Sequence, residues 1–134
     1  MLDHLSIRVA DLARSRRMYD ACLPALGYHA VVTIDDAPDF KGVGYGGDSH
    51  EPGFWIGAST DPADPPPVPI DGMHVAFGAK DRPSVDAWYR AALAHGGTDN
   101  GPPDIRAHYH PNYYAAYVID PDGYHLEAVC HLAA

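Results

Sequence analysis

Polar and apolar side chains alternate in residues 4–9, His-Leu-Ser-Ile-Arg-Val, and a similar alternation recurs in residues 74–79, His-Val-Ala-Phe-Gly-Ala. This period of two predicts a half-buried β-strand in each segment. A helix is predicted after each strand, capped by Asp11 in the first case and opened by Pro83 in the second. Apolar positions at helical spacing continue to Gly27, which is predicted to end the first helix.

Several further strands are predicted after each helix. In the first half they lie at about Tyr28–Ile34, Phe40–Tyr45 and Gly53–Ala58. In the second half, Tyr113–Ile119 and Tyr124–Cys130 are predicted to form a hairpin around the turn sequence Asp120-Pro121-Asp122-Gly123. Residues Thr98–Asn112 are predicted to form only a short strand and a long loop. Each half therefore has the order strand, helix, strands.

The two halves form an internal repeat with an offset of 70 residues. The offset aligns His4 with His74, Asp11 with Asp81, Tyr19 with Tyr89, Gly27 with Gly97, and Phe54-Trp55-Ile56-Gly57 with Tyr124-His125-Leu126-Glu127. Between the halves, residues 61–69 contain five prolines, which favour a stiff, extended connector. We therefore expect one domain over residues 1–134, made of two repeats (about 1–60 and 71–134) joined by the linker 61–69.

The amino-acid composition disfavours some classes of binding partner and indicates a cellular location. The chain has 134 residues with 18 acidic and 9 basic side chains, and its net charge of -9 disfavours nucleic acid and anionic lipid. No apolar run reaches the roughly 20 residues of a membrane span, so a membrane partner is not expected. The only cysteines are Cys22 and Cys130, which indicates a reducing, cytoplasmic location.

The repeat also indicates where chemistry resides. If Leu5 and Ile7 pack beneath the first helix, the alternation places His4 on the opposite face of the strand, and His74 follows by the repeat. Glu127 lies in an otherwise apolar last strand, where an unpaired buried carboxylate is costly. Two histidines and one carboxylate on rigid strands form a set that binds Fe(II), Mn(II), Ni(II) or Zn(II) and leaves coordination positions open.

A tandem repeat with a histidine on each first strand and a glutamate after an Asp-Pro-Asp-Gly turn resembles the vicinal oxygen chelate superfamily. The resemblance implies an α+β fold of two tandem βαβββ modules, which form a cupped mixed β-sheet with the helices on its outer face. It also implies a homodimer and a divalent metal held by His4, His74 and Glu127. Glyoxalases of this superfamily carry a second glutamate in the first half, and the ungapped repeat places Gly57 at that position.

The end of the chain is similar to the signature of extradiol dioxygenases in the same superfamily. By that resemblance, Tyr117 hydrogen-bonds a substrate oxygen, and His108 or His110 acts as acid or base. Arg8, Trp55 and Tyr113 are the expected substrate contacts, because a cation and aromatic rings suit a small organic ligand.

Two functions remain open from the sequence. The first is a metal-dependent enzyme, a lyase or extradiol-type dioxygenase, acting on a small molecule whose vicinal oxygens chelate the metal. The alternative is a metal-free small-molecule binding protein of the bleomycin-resistance type. In a homodimer that exchanges modules, His4 of one chain would meet His74 and Glu127 of its partner.

Overall fold

A computed structural model describes all 134 residues as two modules with the same order of elements. The first module contains β1 (Leu5–Arg8), α1 (Leu12–Cys22), β2 (His29–Ile34), β3 (Phe40–Gly46) and β4 (Pro52–Ser59). The second contains β5 (His74–Gly78), α2 (Arg82–Ala94), β6 (Thr98–Ile105), β7 (Tyr114–Ile119) and β8 (His125–Cys130). The prediction of two βαβββ modules in an α+β fold is confirmed.

Each module has its own four-stranded mixed sheet, in the order β1-β4-β3-β2 or β5-β8-β7-β6. The first and last strands of a module run parallel, and its other neighbouring strands run antiparallel. Strands β1 and β5 are edge strands, so their outer edges have no strand partner within the chain. We call the face of each sheet turned away from the helices its cup face.

Both helices begin at the aspartates that the repeat aligns. A side-chain oxygen of Asp11 accepts a hydrogen bond from the backbone N–H of Arg14, and Asp81 accepts one from Ser84. The first helix ends earlier than predicted, at Cys22, because Pro24 has no N–H to continue the ladder. The chain continues as a 3₁₀ turn to Gly27, whose φ of 86° is the left-handed conformation of a helix terminator. No helix combines the length and the apolar run that crossing a membrane requires.

Strand β6 is longer than the sequence predicts. It spans eight residues and includes Gly101, Pro102 and Pro103, which predict a break rather than a strand. The segment is tolerated because β6 is the outermost strand of its sheet, where prolines need not donate to a neighbour. Its pairing with β7 shifts register on both sides of Gly101. The expectation of a short strand in this region was therefore wrong.

The ungapped alignment of the two halves does not match the strand register in the last strand of each module. In the first module Ser6 pairs with Trp55, whereas in the second Ala76, the counterpart of Ser6, pairs with Glu127. The counterpart of Glu127 is therefore Trp55 and not Gly57, so the alignment of Gly57 with Glu127 was wrong. The connection between β2 and β3 (35–39) is shorter than that between β6 and β7 (106–113), and an ungapped comparison cannot absorb such differences.

A single hydrophobic core joins the modules. The helices pack against each other and against the sheets, and the core includes buried residues from both modules. Phe54 of the first sheet meets Phe77 of the second in an edge-to-face contact with centroids 5.1 Å apart. Such aromatic pairs contribute beyond their burial.

The β7–β8 turn fastens the second module to the first. Asp122 accepts hydrogen bonds from the backbone N–H of Ala10, from Nη2 of Arg14 and from the hydroxyl of Ser15. Buried Asp120 accepts one from the buried Tyr19 hydroxyl at 2.7 Å. We call this set of contacts the turn clamp; it replaces strand pairing between the two sheets.

Burial raises the pKa of Asp120, although the hydrogen bond from Tyr19 opposes that shift. The folded chain therefore holds this proton at pH values where the unfolded chain has lost it, and the associated stability disappears as pH rises through the folded-state pKa. Asp120→Asn cannot titrate, and its amide can still serve Tyr19 and the turn N–H groups. We expect its free energy of unfolding to increase relative to wild type as pH rises from about 3 to 7.

Urea unfolding at several pH values measures this difference. The exposed, unbonded Asp71→Asn is the matched control, and its profile should run parallel to wild type. A fall in the free energy of unfolding of Asp120→Asn relative to wild type as pH rises would contradict the sign.

Candidate functional site

The cup face of the second module holds a buried carboxylate. Glu127 is only 1% exposed, and its two oxygens contact two different side chains. His74 Nε2 lies 3.0 Å from Oε2, and the Tyr113 hydroxyl donates to Oε1 at 2.5 Å. These two contacts compensate the burial of the carboxylate.

Strand registers explain why these side chains meet. Neighbours of Glu127 on β8, Leu126 and Ala128, belong to the core, so Glu127 points to the cup face. Ala76 of β5 lies directly beside it and Tyr117 of β7 on its other side. His74 is thus one diagonal step away, with its side chain still 54% exposed.

An aromatic and imidazole cluster adjoins the carboxylate. The Tyr113 ring contacts Tyr109, His110 and His131 at centroid distances of 4.8–5.4 Å. His110 Nε2 lies 2.7 Å from His131 Nδ1, while its Nδ1 accepts from the backbone N–H of Asn112. Since Nδ1 is the acceptor, the neutral His110 ring carries its proton on Nε2. This N–H group donates a hydrogen bond to Nδ1 of His131. The His108 ring contacts the Tyr109 ring instead, at an interplanar angle of 43°.

Both phenols on this face stay protonated at neutral pH. The pKa of Tyr113 is raised by burial and by its hydrogen bond to Glu127, and burial also raises the pKa of Tyr117. The Arg106 guanidinium lies over the Tyr117 ring, 5.1 Å from its centroid. The Tyr113 hydroxyl already donates to Glu127, so Tyr117 is the phenol available to donate to a ligand.

The cup face of the first module forms a cleft of about 1160 Å³, which we call the first-module cleft. It is lined by His4, Ser6, Arg8, Phe40, Trp55 and Gly57, among others. His4 Nδ1 is 2.6 Å from an oxygen of Asp3, and Arg8 pairs with Asp64 of the linker at 3.3 Å. Two predicted substrate contacts, Arg8 and Trp55, thus lie together here, whereas Tyr113 lies with Glu127.

The predicted metal ligands are divided between the two cup faces. His74 and Glu127 are in contact, but His4 lines the first-module cleft with Asp3. No group of three or more His, Cys, Asp or Glu side chains within the chain is arranged to hold a metal ion. A single chain therefore presents two of the three expected ligands as one unit.

Sequence reasoning missed three participants. Asp64 belongs to the linker, and only the folded chain brings it to Arg8. His131 follows the last strand with no pattern that distinguishes it from a terminal residue. Arg106 lies over the Tyr117 ring, although the two residues are eleven positions apart in different strands or loops. None of these contacts has a signal in local sequence spacing.

A family model and a similar solved structure indicate the same protein family. A family model described as the Glyoxalase/Bleomycin resistance protein/Dioxygenase superfamily matches residues 1–128. A glyoxalase/bleomycin resistance protein from Albidiferax ferrireducens T118 has 29% identity and a TM-score of 0.73, with 97% of this chain and 98% of that chain covered. Among curated proteins there is no match.

Two more distant structures share the fold. The glyoxylase/bleomycin resistance protein/dioxygenase domain from Frankia sp. EAN1pec is 19% identical with a TM-score of 0.67, covering 97% of this chain and 96% of that chain. Glyoxalase I from Zea mays is 20% identical with a TM-score of 0.65. The alignment covers 96% of this chain but only 45% of the maize chain.

Proposed function

Because the chain belongs to the Glyoxalase/Bleomycin resistance protein/Dioxygenase superfamily, we propose that it is a metal-dependent enzyme acting on a small molecule with vicinal oxygens. The metal is held by His74 and Glu127 of one chain and by His4 of the other chain of a homodimer. The observation that carries this proposal is the buried Glu127 carboxylate in contact with an accessible His74 imidazole.

The donor set fits a divalent transition metal. An imidazole nitrogen and a carboxylate oxygen 3.0 Å apart are the kinds of ligand that Fe(II), Mn(II), Ni(II) and Zn(II) share. Tyr113 bonds the other carboxylate oxygen and fixes its orientation, which is a common arrangement around metal-binding carboxylates. The buried carboxylate also supplies the negative charge that a divalent ion requires.

The proposal that the site is shared by two chains rests on the free edges of strands β1 and β5. Both β1 and β5 lack an outer partner, although each carries or adjoins an expected ligand, His4 or His74. In a two-fold dimer, β1 of each chain can lie against β5 of the other, which closes both edges by the same contact. The cup is then formed by the first module of one chain and the second module of its partner.

The residues around the carboxylate have distinct parts in this proposal. When bound, the metal supplies Lewis-acid polarisation of the substrate's oxygens. The Tyr117 hydroxyl donates a hydrogen bond to a substrate oxygen, since its raised pKa keeps it protonated. The hydrogen-bonded His110–His131 pair takes up the proton that the substrate loses, which makes the pair cationic, and returns it in a later step. A lyase and an extradiol-type dioxygenase can both use this set.

The size and aromatic lining of the first-module cleft support a second candidate, a metal-free binding protein. For either function we place the protein in the cytoplasm, since Cys22 and Cys130 are free and buried.

Mixing two inactive variants tests the shared site. His4→Ala and Glu127→Gln each remove one ligand, and each homodimer should lose tight Mn²⁺ or Zn²⁺ binding. After co-refolding, a mixed dimer contains one doubly altered and one intact site, so about a quarter of the wild-type metal capacity should return by random pairing. Metal per chain is measured by elemental analysis after dialysis.

The control is His29→Ala mixed with Glu127→Gln. His29 is exposed on β2, so this variant should keep full capacity alone. If His4→Ala alone retains tight binding, His4 is not a ligand. If both variants lose metal but mixing restores nothing, the site lies within one chain. If the wild-type protein retains no metal, the second candidate function, a metal-free binding protein, is favoured.

A further inference from the structure

The Tyr117 ring is in contact with two residues of the segment that begins in β6. A Cβ atom added at Gly101 would lie 2.9 Å from a ring carbon of Tyr117 and 3.3 Å from Nη2 of Arg106, so the three residues touch one another. The φ of Gly101 is 144°, a conformation that residues with a side chain rarely adopt. Only glycine therefore lets the ring lie against the backbone here. We call Gly101 and Arg106 together the Tyr117 socket.

The irregular course of β6 creates this socket. Five residue steps from Asp99 to Asp104 lie opposite three steps from Val118 to Ala115 on β7, and Gly101 pairs with Tyr117 between them. Extra residues in one strand bend that strand and redirect its side chains, and such bulges are frequent beside functional sites. The irregularity thus has a local result, which is to place bare backbone opposite the Tyr117 ring.

Both the backbone and the side chain of Arg106 are fixed in place. Its backbone N–H donates to the carbonyl oxygen of Tyr113 at 2.7 Å, and Nη2 donates to the carbonyl oxygens of Pro102 and Ala115 at 2.5 Å and 3.4 Å. Its Nε atom is buried without a hydrogen-bond partner. An arginine at the end of an edge strand can extend into water, where every N–H group is solvated, so this unpaired donor has a cost. The cost is accepted in a conformation that holds the guanidinium over the Tyr117 ring.

The hydroxyl at the end of this fixed ring has no partner. Three other tyrosines of the second module, Tyr89, Tyr113 and Tyr114, donate their hydroxyl hydrogen bonds to carboxylates of the chain. The Tyr117 hydroxyl makes no hydrogen bond within the chain, and it is not buried. Since Tyr117 pairs with Glu127 in the strand register, this free donor lies on the cup face beside the buried carboxylate. A fixed ring with an accessible, unused hydroxyl is a preorganised hydrogen-bond donor.

We propose that Arg106 is a positioning residue, which together with Gly101 holds the Tyr117 ring so that its free hydroxyl donates a hydrogen bond to an oxygen of the bound substrate. Arg106 itself does not touch the substrate. Its charge attracts the negative face of the ring, and its planar guanidinium is kept in place by backbone carbonyls. The inference rests on the proposed function for the role of Tyr117 and deepens it by assigning the irregular β6 strand a part in the site.

A double-mutant cycle distinguishes a positioning residue from one that contacts the ligand. The probe is 4-nitrocatechol, whose vicinal oxygens chelate Zn²⁺, and its affinity for the Zn²⁺-loaded protein is measured by absorbance titration. We expect Tyr117→Phe to weaken probe binding by about tenfold and Arg106→Met by about fivefold. In the Tyr117→Phe background no hydroxyl remains to be positioned, so Arg106→Met should then change the affinity by less than about twofold. Additive losses would overturn the proposal.

¹⁹F spectra of protein made with 3-fluorotyrosine report on the ring without metal or ligand. The Tyr117 signal is identified by its absence in Tyr117→Phe. A held ring gives two signals, because fluorine on its two edges has different surroundings, whereas a freely turning ring gives one averaged signal. We expect two signals in wild type and one in Arg106→Met, with Arg106→Lys between them because lysine keeps the charge but loses the planar group.

The matched control is Arg90→Met, which removes an exposed arginine of the same module that has no ion pair and should leave the Tyr117 signals unchanged. Gly101→Ala is an independent variant that retains Arg106, but its methyl group displaces the ring, so its spectrum should resemble that of Arg106→Met. One averaged signal in wild type, or two unchanged signals in Arg106→Met, would overturn the proposal.

The affinity of Arg106→Met for Zn²⁺, measured with a metal indicator, separates this inference from the proposed function. It should equal that of wild type, because Arg106 contacts neither His74 nor Glu127. Equal losses of metal and probe affinity would show that Arg106 supports the whole cup face and would overturn the positioning role. If wild type binds no Zn²⁺, the proposed metal enzyme is contradicted, while the ¹⁹F spectra still decide whether Arg106 holds Tyr117.

Discussion

Replacing Glu127 by Gln is expected to lower the affinity for Mn²⁺ or Zn²⁺ by at least about 100-fold, since it removes the anionic ligand and not just its orientation. Glutamine has nearly the same shape, but it is neutral and offers one acceptor oxygen where Glu127 serves both His74 and Tyr113. The metal would also lose the only buried carboxylate on this cup face.

Competition with a fluorescent metal indicator measures this affinity. Asp36→Asn removes a carboxylate of an exposed residue and should bind metal as wild type does. Circular dichroism and thermal unfolding establish whether the Glu127→Gln chain is folded, and Tyr113→Phe provides an independent variant. Tyr113→Phe leaves all three proposed ligands in place, so it should weaken binding by a smaller factor, about 10-fold. Unchanged affinity in a folded Glu127→Gln protein would remove Glu127 from the metal site.

Replacing Asp122 by Ala is expected to lower the free energy of unfolding by about 3 kcal/mol, because three donors lose their acceptor together. The donors are the Ala10 N–H, the Arg14 guanidinium and the Ser15 hydroxyl. The Arg14 side chain is 42% exposed, so water replaces part of its lost contact, but its buried Nε atom already has no hydrogen-bond partner. Since the turn clamp joins the modules, the loss should weaken their cooperation as well as the total stability.

Thermal and urea unfolding measure this effect, which corresponds to a fall in Tm of about 10 °C for a chain of this size. Trp55 and Trp88 lie in different modules and report on them separately. Asp71→Ala, an exposed residue with no hydrogen bond, should change stability by less than about 0.5 kcal/mol. A loss of under about 1 kcal/mol in Asp122→Ala would show that the apolar core alone holds the modules together.

Features with a strong local signal were predictable from the sequence. The alternation around Ile7 and its repeat around Phe77 predicted both first strands, and Asp11 and Pro83 predicted where the helices begin. Gly27 ends the 3₁₀ turn that follows the first helix, not the helix itself. The Asp-Pro-Asp-Gly turn predicted the β7–β8 hairpin. These features depend on the period of two, on side-chain capping and on turn conformations, all of which are set by neighbouring residues.

Features that depend on relations between distant residues were not predictable. The partner of Glu127 across the repeat is decided by strand register, which loop length shifts by two residues without changing the apolar pattern. Likewise, the strand through Pro102 exists because β6 lies at the edge of its sheet, and local propensity has no information about that position. The predicted ligands His74 and Glu127 are in contact, while His4 lies apart, which only the folded chain reveals.

The unpaired edges of β1 and β5 give the proposed dimer a consequence for the dependence of function on protein concentration. If those edges meet in a dimer, every site is assembled from two chains, and at high dilution the fraction of chains in assembled sites is proportional to the protein concentration. A cell then adjusts the working fraction of this protein simply by how much it makes. The same open edges would expose dilute or newly made chains to pairing with unrelated strands. Rapid association between copies is therefore also a form of protection.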